Sequence, residues 1–451
     1  MSSPHPGSLE GTSPSEVSGN RFLALYRRTP LYVRIMIGLV LGIAVGELLR
    51  THPGIFGSLT PESFKPFSAL VLQLLRLLAT PLIFIAVAHA LLKANVSGKT
   101  AGRLAYLLIS NTVVAIIIGL LVVNVIKPGK KAHFSAPTTT VTAAPFDATH
   151  DLLDKVPANL VDPFLKNEII SIIILAISFG LAMRIVRKQQ KDAGETGYLT
   201  VESLLDMGFR VVMVMLHWIF DLVPLAVFAV VVRTVGTVGI QPIVSMAAFV
   251  ICVLVALGLQ AIFYMVRLRL SSWVRPGQFL KGGTEALMMA FSTASSAATL
   301  PLTYGCVKDK IGVRESSAGM GVMVGGTFNH DGTALYEAMV ALFVSQALGM
   351  HLTLEHQVLI VFMAIIASVG AAGIPEAGLV TMIAVFNAVH LPIEYIPLLL
   401  PLDWFLDRCR TAINVMGDMT VTCILDGKEK PAPDEPEDAP VKLTEPELEL
   451  A

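Results

Sequence analysis

Asp403-Trp404-Phe405-Leu406-Asp407-Arg408-Cys409-Arg410-Thr411-Ala412-Ile413-Asn414-Val415-Met416-Gly417-Asp418 is a polar stretch set inside an apolar one. At 100° per residue Asp403, Asp407, Arg410, Asn414 and Asp418 fall at about 0°, 40°, 340°, 20° and 60°, on one helical face. A charged residue at the centre of a membrane helix costs roughly 2.5–3.5 kcal/mol on an insertion scale. Four charges on one stripe must therefore line a polar site inside the protein, one suited to a charged solute or to ions.

The remainder of the chain reads as membrane-embedded. Of 451 residues, 54% are hydrophobic and 15% charged, against roughly 25% charged in soluble domains. That length accommodates eight or more spans of about 20 residues. The net charge of −1 gives no electrostatic footing for nucleic acid. Cys252, Cys306, Cys409 and Cys423 sit in or beside apolar segments without metal or redox spacing, and read as free buried thiols.

Apolar runs predict spans at Val33–Leu49, Phe67–Leu92, Leu104–Ile126, Glu168–Val186, Leu205–Val232 and Ile243–Met265. Basic residues cluster on alternate connections: Arg27 and Arg28; Lys93, Lys99 and Arg103; Arg184, Arg187, Lys188 and Lys191; Arg267, Arg269, Arg275 and Lys281. That alternation places both termini and those loops in the cytoplasm. The Pro/Thr-rich loop Lys127–Lys166 falls outside, where Lys127, Lys130 and Lys131 run against the rule. The triplet Asn95-Val96-Ser97 is then cytoplasmic, where a glycosylation signal has no use. Residues 1–30 form a polar N-terminus without a signal peptide, and residues 427–451 a Pro/Glu-rich, acidic tail expected to be disordered. These features favour a plasma membrane, and a bacterial inner membrane in particular.

From Gly282 onward hydropathy alone stops describing the chain. Phe291-Ser292-Thr293-Ala294-Ser295-Ser296-Ala297-Ala298-Thr299-Leu300-Pro301 is small and hydroxylated within an apolar stretch. Ala367-Ser368-Val369-Gly370-Ala371-Ala372-Gly373-Ile374-Pro375-Glu376-Ala377-Gly378 repeats the idea downstream. Paired Gly/Pro-interrupted apolar segments point to a transporter binding site. Each can dip into the membrane as a re-entrant hairpin, since irregular backbone is tolerated where it lines a polar cavity. The competing reading, close packing of small residues, does not explain Ser295, Ser296 and Thr299. Between the two lies Gly325-Gly326-Thr327-Phe328-Asn329-His330-Asp331-Gly332-Thr333-Ala334-Leu335-Tyr336-Glu337. A helix here should unwind, and its freed carbonyls with Asn329 and Asp331 offer hard oxygen ligands for a small cation.

These segments, Ser295–Pro301, Asn329–Glu337, Gly370–Pro375 and Asp403–Asp418, resemble in order and separation the glutamate/aspartate:cation symporter family, which holds the excitatory amino acid transporters and their prokaryotic homologues. The likeness runs from about Leu31 to Asp426. It implies an all-α polytopic homotrimer with eight transmembrane helices, two re-entrant helical hairpins and inverted repeats. A scaffold (about 31–93 and 167–234) would hold the trimer. An elevator-like transport domain (about 103–126 and 243–426) would carry substrate.

By the same resemblance, Arg410 pairs with the substrate side-chain carboxylate and Asp407 with its ammonium, as a guanidinium fork and a carboxylate suit those partners. Ser296, Thr333, Ile374, Gly378, Thr411 and Asn414 complete the pocket. Neutral-amino-acid members lack the arginine, so Arg410 argues for L-glutamate or L-aspartate. The alternative for Arg410 is a structural ion pair with Asp407. Asp418 with Gly325, Asn329 and Asn414 matches one sodium site. Asp331 and Asn329 with Asn111 and Thr112 match a second, and Thr327, Ser368, Ala371 and the side chain at 330 a third. Glu337 matches the proton carrier of proton-coupled members, and burial in an apolar domain favours the neutral carboxyl that such a carrier needs. Arg408 stands where the acidic-amino-acid animal members carry it. His330 replaces a customary methionine and Asn111 a customary hydroxyl residue. A proton role for His330 and Glu337 then competes with sodium coupling in which His330 merely packs.

No cofactor is expected beyond transported sodium ions or protons. A C4-dicarboxylate symporter is the alternative within transport. A substrate-gated ion channel would not need the Asp407–Arg410 pair. An intramembrane hydrolase built on Ser295 or Ser296 lacks a base at a suggestive spacing.

Overall fold

Apolar runs with few charges must satisfy every backbone group internally once water is gone, and the helix does so. The computed structural model describes residues 29–54, 57–93, 99–132, 156–166, 168–350, 352–370 and 377–430. Among them the chain is helical, with no strand. In order these are α1 (Leu31–Thr51), α2 (Lys65–Lys93), α3 (Lys99–Ile126), α4 (Asp162–Lys166), α5 (Ile169–Asp192), α6 (Gly197–Val238) and α7 (Gln241–Ser271). They are followed by α8 (Pro276–Thr293), α9 (Ser296–Gly305), α10 (Glu315–Phe328), α11 (Asp331–Ala347), α12 (Leu354–Gly370), α13 (Ala377–Ala388) and α14 (Ile396–Leu425).

Among the described residues four stretches, Pro61–His89, Gly102–Lys130, Gly197–Val238 and Gln241–Ser271, are long and apolar enough to cross a membrane. Each predicted span lies within one of the helices, with Glu168 as the N-cap of α5. The helices overrun the apolar windows, most in the 42-residue α6, because Glu, Lys and Arg propagate a helix as readily as Leu. Arg267 and Arg269, predicted to belong to a basic connection, lie inside α7. Cys252, Cys306 and Cys423 are buried free thiols, whereas Cys409 is only half-buried. Residues 1–28 and 431–451, the triplet 95–97 and most of the loop 127–166 lie outside the described residues.

Packing falls into two groups. In the first, α6 packs against α1 and α2, and α2 against α5. Gly38, Gly42 and Gly46 share one face of α1. A Cβ on Gly42 would stand 2.9 Å from Val231 Cβ, and one on Gly46 2.9 Å from the Val232 carbonyl oxygen. Small residues four apart bring the two backbones together. In the second group α14 is the hub, packed by α7, α8, α10 and α11, with α3 along α11 and α12 along α13. Helix α11 is buried on nearly every side from Asp331 to Ser345, the signature of a central core helix. The groups meet where α14 passes α1 and α6, and where α12 and α13 pass α2.

Two interruptions shape the second group. Between α8 and α9 the chain turns through Ala294, at φ +52°, and Ser295, whose Oγ accepts from the Ala298 N–H at 3.2 Å as a helix N-cap. Between α10 and α11 only Asn329 and His330 leave the helix. The tip between α12 and α13, with Ala371 and Ile374, lies outside the described residues.

Candidate functional site

The stripe on α14 packs against the break between α10 and α11, and the polar side chains there form three connected clusters.

The first centres on Arg410, which is fully buried. Its Nη1 donates to Asp403 Oδ1 and its Nη2 to Asp407 Oδ1, each at 2.7 Å. The guanidinium carbon stands 4.0 Å from the centre of the Tyr336 ring on α11, a cation–π arrangement that is worth most when desolvated. A Cβ on Gly378 of α13 would lie 3.5 Å from Arg410 Nη2 and 3.3 Å from Thr333 Cγ2, so α13 closes over the guanidinium. The Thr411 hydroxyl donates back to the Asp407 carbonyl at 2.8 Å. Asn414 Nδ2 reaches Thr333 Oγ1 at 3.4 Å, and its Oδ1 accepts from the Gly332 N–H at 2.8 Å. Ser296, buried, begins α9. Arg408 points the other way, over the Trp404 ring, and donates to the carbonyls of Phe291 and Ser292 at the end of α8. It therefore ties the α8–α9 turn to α14.

The second cluster is Asn329 with Asp418. Asn329 Nδ2 donates to Asp418 Oδ1 at 3.0 Å and lies 3.5 Å from the Asn414 carbonyl oxygen. Its Oδ1 is buried with no hydrogen-bond partner among the described residues. A Cβ on Gly325 would be 2.8 Å from Asp418 Oδ1.

The third surrounds Asp331. Its Oδ1 accepts from Thr112 at 2.6 Å and its Oδ2 from Tyr264 at 2.5 Å. Asn111, the chain neighbour of Thr112, has its Oδ1 accepting from Arg267. Of the predicted members, Thr112 and Asn329 meet Asp331, whereas the Asn111 side chain is turned to a guanidinium.

Glu337, one turn and a half along α11, accepts from Thr381 of α13 through Oε1, while Oε2 is buried without a partner among the described residues. Neither ring nitrogen of buried His330 meets hydrogen-bond geometry among the described residues, with the Ser368 backbone beside the ring. Thr327 and Ser368 each donate to their own helices, to Met323 and Ile365.

Several participants escape a reading of the sequence. Asp403 is visible as a stripe member, yet nothing in its spacing says that it shares Arg410 with Asp407. Gln260, Tyr264 and Arg267 recur four and three residues apart in an apolar helix, a one-face signal of the same kind as that on α14. Tyr336 and Thr381 carry no such signal.

The model of the sodium:dicarboxylate symporter family matches residues 31–428. The chain is 29% identical over 426 residues to C4-dicarboxylate transport protein 2 of Mesorhizobium japonicum, covering 89% of this chain and 91% of the relative. It is 26% identical over 408 residues to the C4-dicarboxylate transport protein of Pseudomonas syringae pv. syringae, covering 88% and 87%. It is also 29% identical over 460 residues to excitatory amino acid transporter 3 of Oryctolagus cuniculus, covering 88% and 85%.

Proposed function

The chain belongs to the sodium:dicarboxylate symporter family, and from that premise we propose that it carries an acidic amino acid, L-aspartate or L-glutamate, across a plasma membrane together with cations. It is a membrane transporter, not an enzyme. Eight membrane helices and two re-entrant hairpins, α8–α9 and α12–α13, make up each subunit of a homotrimer, with both termini cytoplasmic. The scaffold (31–93 and 167–234) stays fixed while the transport domain (103–126 and 243–426) moves as an elevator. The packing of the helices into two groups supports that division.

The observation that carries the substrate reading is Arg410 held between Asp403 and Asp407. A carboxylate that takes the guanidinium must loosen at least one aspartate, and a buried charge left without a partner is costly. An acidic amino acid solves this by exchange, since its ammonium pairs Asp407 as its carboxylate takes Arg410. A C4-dicarboxylate brings two negative charges and no replacement cation. The same count explains why cations must accompany the substrate: two aspartates and one arginine already leave a net negative charge. Asp418 with Gly325, Asn329 and Asn414 takes one cation. Thr327, Ser368 and Ala371 complete the hairpin-closing site beside His330. Glu337, whose Oε2 is buried and unpaired among the described residues, and His330 move protons.

The second reading, C4-dicarboxylate symport, is favoured by the names of two of the relatives above, both C4-dicarboxylate transport proteins. Uptake of labelled L-aspartate and L-glutamate into proteoliposomes under separate sodium and pH gradients, with succinate as competitor, tests both. Concentrative aspartate uptake that excess succinate leaves intact is the expected result. Succinate uptake without aspartate uptake would establish the second reading instead. Replacing His330→Met is expected to shift the driving ion from protons towards sodium, and an unchanged ion dependence removes His330 from proton coupling.

A further inference from the structure

Gln260, Tyr264 and Arg267 form a polar stripe on α7 that faces α3 and the α10–α11 break. Gln260 Nε2 reaches the Asn111 carbonyl oxygen at 3.5 Å, and Tyr264 donates to Asp331. Arg267, one turn further, gives Nη2 to Ser110 Oγ at 2.7 Å. Its Nη1 reaches the Leu107 carbonyl oxygen at 3.4 Å and donates to Asn111 Oδ1. It makes no ion pair at contact distance among the described residues, but Tyr264, three residues earlier on the same helix, donates to Asp331, and Asn111, which accepts from Arg267, is the chain neighbour of Thr112, the other donor to Asp331. A guanidinium is permanently charged and keeps its fork of donors at any working pH. Arginine within an apolar helix is retained only where acceptors and a counter-charge receive it.

We infer that Arg267 is a resident cation of the Asn111–Asp331 site, where it takes the one side-chain oxygen of Asn111 and balances Asp331 in place of a transported cation. This rests on the reading of the chain as a cation-coupled symporter. Three features of the site converge on it. The side-chain oxygen that Asn111 would lend to a metal ion is already accepting a hydrogen bond. Both Asp331 oxygens accept from hydroxyls, of Thr112 and Tyr264, so the carboxylate is held in place without an ion. An arriving cation would then meet a like charge that cannot leave, because it is covalently part of α7. Among the described residues the Asn329–Asp418 cluster has no such internal cation: Asn329 is an amide, and its Oδ1 is unpaired there. The two clusters thus differ in kind, and the coupling stoichiometry is one cation lower than the number of acidic sites suggests.

The test uses the purified full chain and needs no transported substrate. Sodium is titrated against the thermal unfolding midpoint of the wild type, Arg267→Gln and Arg267→Lys, with choline holding ionic strength constant. Arg267→Gln is expected to gain a sodium-dependent stabilisation, its half-saturating sodium falling about tenfold or more as the like charge is removed. Adding Asp331→Asn should abolish that gain. Arg267→Lys, which keeps the charge, should respond as the wild type does. Arg267→Met serves as the neutral variant should the glutamine fail to fold. In proteoliposomes the reversal potential should report one more coupled cation for the neutral variant. Sodium curves for the neutral variants that overlay the wild type overturn the proposal. Failure of the wild type to take up any acidic amino acid or dicarboxylate would count against the transport reading instead, and leaves the sodium titration to decide the role of Arg267.

Discussion

Arg410→Met is expected to abolish uptake of acidic substrates and to destabilise the folded protein by about 3–5 kcal/mol, the usual cost of removing one partner from a buried ion pair. The side chain is fully buried and is the cation shared by Asp403 and Asp407. Its removal leaves two carboxylates side by side on α14, facing the Tyr336 ring. Arg410→Lys restores the charge but not the fork, so it should recover part of the stability and little of the uptake. Adding Asp403→Asn to Arg410→Met removes one of the stranded charges. It should raise the unfolding midpoint again while transport stays absent, which separates the structural share of the arginine from its share in substrate binding. Aspartate uptake by Arg410→Met at anything near the wild-type rate would remove Arg410 as the carboxylate anchor.

The stripe on α14 was legible because charge in an apolar helix is expensive wherever it stands, so its mere presence marks a site. Which partner each charge takes was not legible. Asp403 and Asp407 lie one turn apart on the same face, and helical angle alone cannot say whether Arg410 joins one, both, or neither. The break at Asn329 and His330 was readable from Gly325, Gly326 and Gly332 around an Asn-x-Asp run; the turn at Ala294 and Ser295 falls inside the irregular stretch Phe291–Pro301, but its position within it was not legible. The α7 stripe stayed hidden for a physical reason. Gln260 and Tyr264 carry no charge, and Arg267 sits four residues from the helix end, beside Arg269. There it counts as one more basic residue of a cytoplasmic connection, until the fold turns it back onto Asn111. Helix lengths were understated for the related reason that an apolar window ends where the hydrocarbon would, not where the hydrogen-bond ladder does.

Gly417→Ala is expected to weaken cation coupling while sparing the Arg410 pair. Gly417 lies on α14 between Asn414 and Asp418, and a Cβ there would stand 2.7 Å from both Asn329 Nδ2 and Tyr264 OH, and 3.1 Å from Asp331 Oδ2. Those atoms cannot simply swing aside, because Asn329 is held by Asp418 and Tyr264 by Asp331 in a buried network. One methyl group thus presses on two acidic clusters at once. Overpacking of this kind costs about 1–3 kcal/mol, and the half-saturating concentration of the driving cation should rise about tenfold, since 1.4 kcal/mol is a factor of ten in an equilibrium. Gly319→Ala is the matched control. It lies in α10, where an added Cβ meets nothing within 4 Å, and should be neutral or stabilise by up to about 1 kcal/mol through helix propensity. Cation dependence measured by uptake, and unfolding midpoints measured on both variants, decide the matter. If Gly417→Ala behaves as Gly319→Ala does, the close approach of α14 to Asn329, Tyr264 and Asp331 has no part in coupling. If only its cation dependence moves, the small residue is there to let the two clusters share one helix face.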